Sequence, residues 1–162
     1  MSDKYLEVAN SSLGKKLFSA VGLPDPVPLT REEFTEPHKL NGQVLLGSSD
    51  GAAFANSITS FIGAAGVEVC SESLDKNGHL VFDASGIVNA QQSGHLYQFF
   101  NRHIRTIAYS GRVIVIGRKP SSLDDVEYAA VQRGLLGFVK SVVKEIGRKG
   151  VTANLVIVDK VG

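Results

Sequence analysis

Tryptophan is absent from this chain, and cysteine and methionine occur once each. Neither sign of charge prevails, because 17 basic against 16 acidic side chains leave +1 over 162 residues. Each scarcity closes off a class of function. Cys70, set in an apolar run, has no partner for an internal disulfide, so the reading is a reducing cytoplasm. A balanced charge offers no basic field for nucleic acid. No apolar run approaches the roughly eighteen residues that cross a bilayer, and the amino terminus has no signal-peptide pattern. His38, His79, His95 and His103 show no metal-ligand spacing and read as ordinary surface or edge residues.

What is present suits one globular domain, with 43% apolar and 20% charged residues. Residues 1–40 read as an extension. Leu6, Ala9, Leu13, Leu17 and Ala20 share one face of an amphipathic helix over Lys4 to Val21. Four of the five prolines then fall between Pro24 and Pro37, which marks an extended linker.

Residues 41–162 are organised around the stretch from Gly111 to Val158. Gly111-Arg112-Val113-Ile114-Val115-Ile116-Gly117 is a β-branched run bounded by glycines, hence a buried strand. A long helix follows, started by Ser122-Leu123-Asp124-Asp125 and stopped by Arg148-Lys149-Gly150. Ala129, Leu136, Val139, Val143 and Ile146 form its apolar stripe, and Ala130, Gly134, Gly137 and Ser141 a second stripe of small residues. The small stripe fits either a helix of a second copy or this chain's own amino-terminal helix, and spacing does not choose. Val151 to Val158 is the next buried strand. Upstream, Gln43 to Gly47, Val67 to Cys70 and His79 to Asp83 are strands. Helices are expected from the Gly51 turn to about Ala65 and from Leu96 to Tyr109, with Phe99, Phe100, Ile104 and Ile107 inward and Arg102, His103 and Arg105 outward.

Tyr128-Ala129-Ala130-Val131-Gln132-Arg133-Gly134-Leu135-Leu136-Gly137-Phe138-Val139-Lys140-Ser141, followed by Gly150-Val151-Thr152-Ala153-Asn154, resembles the catalytic helix and next strand of the short-chain dehydrogenases/reductases. The likeness runs from about Gln43 to Asn154 and is nearest to 3-oxoacyl-[acyl-carrier-protein] reductases. The lead-in resembles that of the high-molecular-weight reductases of this kind, which carry a non-catalytic nucleotide-fold domain ahead of the catalytic one.

The resemblance implies a Tyr-x-x-x-Lys motif and a serine after the preceding strand. Here Tyr128 stands alone, with Gln132 at the lysine position and Arg118 at the serine position. A tyrosine with a pKa of about 10 is a slow proton donor at neutral pH unless a nearby lysine lowers it, and glutamine has no charge to do so. No catalytic residue is therefore expected. The phosphate loop of the family is Thr-Gly-x-x-x-Gly-x-Gly; Gly47 and Gly51 match, Leu46 and Ala53 depart, and the carboxylate of Asp50 opposes a diphosphate. Asp83-Ala84-Ser85-Gly86 stands where the family has Asn-Asn-Ala-Gly. Gly47, Gly51, Asp83 and Gly86 are the degenerate cofactor-contact positions.

His79 comes only nine positions after Cys70, too close for the helix and strand that wall the adenine pocket in the family. The fold expected is α/β, a doubly wound five-stranded parallel sheet in the flavodoxin-like order 2-1-3-4-5, a reduced Rossmann fold. The carboxyl end lacks the family's Pro-Gly turn, lid and final strand, so the chain reads as the amino-terminal fragment of a longer reductase.

The leading functional expectation is a non-catalytic domain serving assembly or carrier docking. Its partners would be the carboxyl-terminal catalytic domain of the same polypeptide, a second copy, or an acyl carrier protein met by Arg102, Arg105, Lys140, Lys144 and Arg148; those residues also read as a solvated face. This domain would bind no cofactor, while the parent enzyme would use NADP(H) or NAD(H). A weak or regulatory NAD(P) binder is the alternative. More remote is a phosphoacceptor receiver using Asp83 and Lys160, although Gly47-Ser48-Ser49 replaces the acid pair that receivers need.

Overall fold

A computed structural model describes residues 4–23, 42–72 and 77–159. Five strands form one parallel sheet in the order β2-β1-β3-β4-β5: β1 is Val44–Ser48, β2 Val69–Cys70, β3 Asn77–Asp83, β4 Ile107–Arg118 and β5 Thr152–Val158. The expected strand order is the observed one. Between β2 and β3, residues 73–76 lie outside the described set, as does the proline-rich stretch at 24–41.

The central strands read as continuous apolar runs because helices cover both faces, as parallel sheets require. On one face α4 (Ser93–His103) and α5 (Val126–Ile146) bury Leu45, Leu80, Phe82, Val113 and Val115. On the other, α3 (Ala55–Ala64) covers Val44, Val67, Val81 and Ile116 through Ile58 and Ile62. Each such aliphatic or aromatic burial is worth about 1.5–3 kcal/mol.

Several local expectations give way to the structure. The amino-terminal segment is two helices, α1 (Lys4–Asn10) and α2 (Ser12–Val21), because the Ser11 hydroxyl caps α2 by accepting from Gly14 N at 3.0 Å. They meet at Ala9 and Gly14, while Leu13 and Leu17, placed on the apolar face of a single helix, are exposed.

The helix expected to reach Tyr109 ends at His103, and Ile107 already belongs to β4. His103 turns inward against Phe99, with ring centroids 5.1 Å apart, and His79 is buried as well, so neither is a surface residue. The long helix starts at Val126: Asp125, not Ser122, caps it, accepting from Tyr128 N at 2.7 Å.

Its sheet-facing stripe is Gln132, Leu135, Val139, Val142 and Ile146, whereas Leu136 and Val143 are partly in solvent. At Gly134 and Gly137 of the small stripe an added Cβ would meet nothing within 4 Å, and Ala130 and Ser141 are exposed.

Candidate functional site

In an open parallel sheet the binding crevice lies beyond the carboxyl ends of the strands, where the order reverses, here between β1 and β3. Gly47 sits within β1, Gly51 in the turn to α3, Asp83 at the end of β3, Arg118 at the end of β4, and Tyr128 in the first turn of α5. The fold gathers the residues singled out by sequence, and hydrogen bonds within the chain join several of them.

The turn from β1 into α3 exposes amides toward this crevice, as such turns do. Gly51 has φ 69°, so its place in the turn suits glycine. The next three amides all have acceptors inside the chain. Ala52 N donates to Ser49 O at 3.2 Å, Ala53 N to Ser85 Oγ at 2.8 Å, and Phe54 N to Asp83 Oδ2 at 2.7 Å. Asp83 is fully buried, and its second oxygen, Oδ1, accepts from Ser85 N at 3.0 Å. Phe54 precedes α3 and contributes no side-chain cap, so the Asp83 carboxylate, brought from another strand, serves the positive end of that helix.

The two loops touch backbone to backbone. A Cβ at Gly86 would overlap the carbonyl oxygen of Asp50 and stand 2.6 Å from Ala52 N. Asp50 itself points outward, its side chain 89% exposed and its carboxylate 3.7 Å from His95 Nε2 on α4. The expected conflict between Asp50 and a diphosphate therefore does not arise from a carboxylate turned into the crevice. Buried Asp83 is the acid that lies there.

Gln132 is fully buried and uses its whole amide. Its oxygen accepts from Arg118 N at 2.7 Å, and its nitrogen donates to Ala84 O and Ile87 O, each at 2.9 Å. The neighbouring Gly117 is needed for this approach, because a Cβ there would lie 2.8 Å from the Gln132 oxygen and 2.6 Å from Leu135 Cδ1.

The Tyr128 hydroxyl donates to the Ser85 carbonyl. Partial burial pushes its pKa above the phenol value of 10; Arg118 opposes the rise and Asp83 adds to it. The guanidinium of Arg118 lies over the Phe54 ring, 5.6 Å from its centroid.

Ser85 and Phe54 are participants that the sequence does not single out. Their partners lie 29 to 32 positions away, and no local pattern announces such a pairing. Burial of Asp83 also removes it from the reach a phosphoacceptor needs, and Lys160 lies outside the described residues. Among the described residues no group of three or more His, Cys, Asp or Glu side chains is placed to hold a metal, and no helix is long and apolar enough to cross a membrane.

Among solved structures the chain is similar to a short-chain dehydrogenase/reductase from Serratia marcescens BCRC 10948, at 15% identity and a TM-score of 0.52, over 73% of this chain and 74% of that one. It shares the short-chain dehydrogenase/reductase fold. No family model and no curated protein matches its sequence.

Tyr128 and Gln132, the glycine turn and the Asp83 loop occupy the crevice end of the sheet. Arg102, Arg105, Lys140, Lys144 and Arg148 are all exposed on α4, α5 and the turns that follow them.

Proposed function

We propose that the chain is a non-catalytic domain of short-chain-reductase type, the amino-terminal part of a 3-oxoacyl-[acyl-carrier-protein] reductase, working in assembly or carrier docking. One observation carries the reading: the amides of Ala52, Ala53 and Phe54, which face the crevice, already donate to Ser49, Ser85 and Asp83. A dinucleotide diphosphate needs donors of that kind. It would have to displace a buried carboxylate from them and then sit beside that carboxylate, so these residues do not fit the group. In the proposed parent, a nicotinamide cofactor would reduce the 3-oxoacyl thioester at the Tyr and Lys of another domain.

Further support comes from Gln132 and Tyr128. A catalytic tyrosine of this fold needs a lowered pKa and a hydroxyl free to reach substrate. Tyr128 has a raised pKa and donates to Ser85, while Gln132 brings no charge.

Calorimetric titration with NADPH and, separately, NADH tests the proposal, together with assay of the Gln132→Lys, Arg118→Ser double variant on a 3-oxoacyl thioester. No binding heat at millimolar cofactor and no turnover are expected. Saturable micromolar binding to the unmodified chain would reinstate Gly47, Gly51, Asp83 and Gly86 as a working site. Turnover by the double variant would overthrow the non-catalytic assignment.

A further inference from the structure

We propose that Arg118 is the receptor for a small organic monocarboxylate, bound at the carboxyl end of the sheet beside Tyr128. Arg118 closes β4 in register with Val158 of β5. Its guanidinium lies over the start of α3, 5.6 Å from the centroid of the Phe54 ring. Arg118 is half-buried and its Nε is shut off from solvent, yet no oxygen among the described residues accepts a hydrogen bond from the guanidinium. Five N–H donors in a planar fork are therefore unclaimed by the chain. They stand at the end of an α/β sheet where such folds take their ligands.

The acids that could answer this charge are occupied. Both oxygens of Asp83 accept main-chain amides, those of Phe54 and Ser85. Asp159, next along the chain from the strand partner of Arg118, accepts from Lys119 Nζ at 2.6 Å and from the Ser122 hydroxyl. Asp50 lies beside His95 of α4. Lys119 thus has its carboxylate, and Arg118 has none among the described residues. The guanidinium is also near enough to Tyr128 to act on its phenol, which places the open charge on the crevice side.

Charge and shape choose the class of ligand. The two terminal nitrogens of a guanidinium meet the two oxygens of a carboxylate in one plane. A phosphate monoester would bring nearly two negative charges against one cation, with the surplus on the side of Asp83, whereas a monocarboxylate is neutralised by Arg118. The chain does little to oppose the movement. On turning toward a ligand, Arg118 gives up only its stacking on Phe54, and Nε leaves a place where it has no partner. The site uses none of the amides of Ala52, Ala53 and Phe54. The inference therefore goes beyond the non-catalytic reading, and it holds or fails separately from the cofactor titration.

Butyrate is the probe, with n-butanol as its uncharged counterpart and inorganic phosphate as the competing anion. Each is titrated into the 162-residue chain at constant ionic strength and neutral pH. The readouts are the side-chain Nε–H signal of Arg118 and the ring signals of Phe54 and Tyr128. Butyrate should shift them saturably in the millimolar range, and the Tyr128 phenol should then titrate at higher pH, because the charge that lowers its pKa is neutralised. Phosphate should bind more weakly by about tenfold or more, and butanol not at all. Arg118→Lys, which keeps the charge and loses the fork, should weaken butyrate about tenfold, and Arg118→Gln should abolish its binding. Both variants keep the main-chain bond to Gln132, so their urea midpoints should match that of the parent chain. Arg102→Gln, at the far end of α4, should leave butyrate binding unchanged. The absence of a saturable shift overturns the proposal, as does binding that survives in Arg118→Gln, or butanol or phosphate binding as tightly as butyrate.

Discussion

The side-chain oxygen of Gln132 accepts the main-chain N–H of Arg118 at 2.7 Å, fastening the middle of α5 to the end of β4. Its amide nitrogen closes the same knot by donating to Ala84 and Ile87. A side chain with one acceptor and two donors suits this environment, and lysine, with donors only, does not. Gln132→Lys should therefore strand the Arg118 amide and bury a charge, and Gln132→Leu should leave the Arg118 amide without its acceptor and take a donor from the Ala84 and Ile87 carbonyls, the first of which keeps its bond from Ile87 N. Each should lower stability by about 3 kcal/mol or more, read from the urea midpoint. A change below about 0.5 kcal/mol, the range of an indifferent surface site, would contradict the bonding described.

Asp83 holds two amides in different loops, Phe54 N and Ser85 N. Asp83→Ala should cost about 3 kcal/mol, whereas Asp83→Asn, which keeps one acceptor, should cost about half as much. Hydrogen exchange at the Phe54 amide gives the local check, because it should accelerate more than exchange at Leu80 in the middle of β3. Equal acceleration at both positions would mean that the carboxylate stabilises the fold without holding that turn.

Burial pushes the pKa of His103 below 6.5, and Arg102 adds to the effect. The folded chain thus prefers the neutral ring, while the unfolded chain takes up the proton first as pH falls below 6.5. Stability from this residue is fully present above that value and declines below it, so unfolding free energy rises with pH across the window. His103→Phe should flatten that rise. Urea midpoints between about pH 5 and about pH 8 measure it in both proteins, and identical slopes would acquit His103.

Gly86 touches the backbone of the Asp50–Ala52 turn, where no flexible side chain can move aside. Gly86→Ala should cost about 3 kcal/mol by forcing the two loops apart. Gly134→Ala, with open space around it, should stabilise the chain by up to about 1 kcal/mol. Thermal unfolding of the two variants should move in opposite directions, and a shared direction would refute the close approach assigned to Gly86.

The sheet was legible because its β-branched runs, bounded by glycines, carry their own signal; Val113 to Ile116 needs no distant partner to read as a strand. The face of α5 was not. Leu136 and Val143 look like core by composition, and Gln132 looks like surface, yet the burial is reversed. Three backbone groups from β4 and the loop after β3 make the buried amide tolerable, and none of them lies within thirteen positions of it. Ile107 was equally ambiguous, since an isoleucine at helical spacing from Ile104 also suits the strand it joins. For the crevice, Gly51 and Asp83 lie in the two loops at the carboxyl ends of β1 and β3. That the loops bind each other depends on the fold bringing them together.

The mutual grip of those loops also bears on how such a chain could change over generations. Freeing the Phe54 amide by losing Asp83 leaves the Ala53 amide on Ser85, and changing Ser85 alone leaves the carboxylate in place. Either single step weakens the fold before any amide pair is open to a phosphate. A lineage with this crevice is held in place by the stability lost at the first step, so the closed turn works as a ratchet against opening this site to a phosphate-bearing ligand.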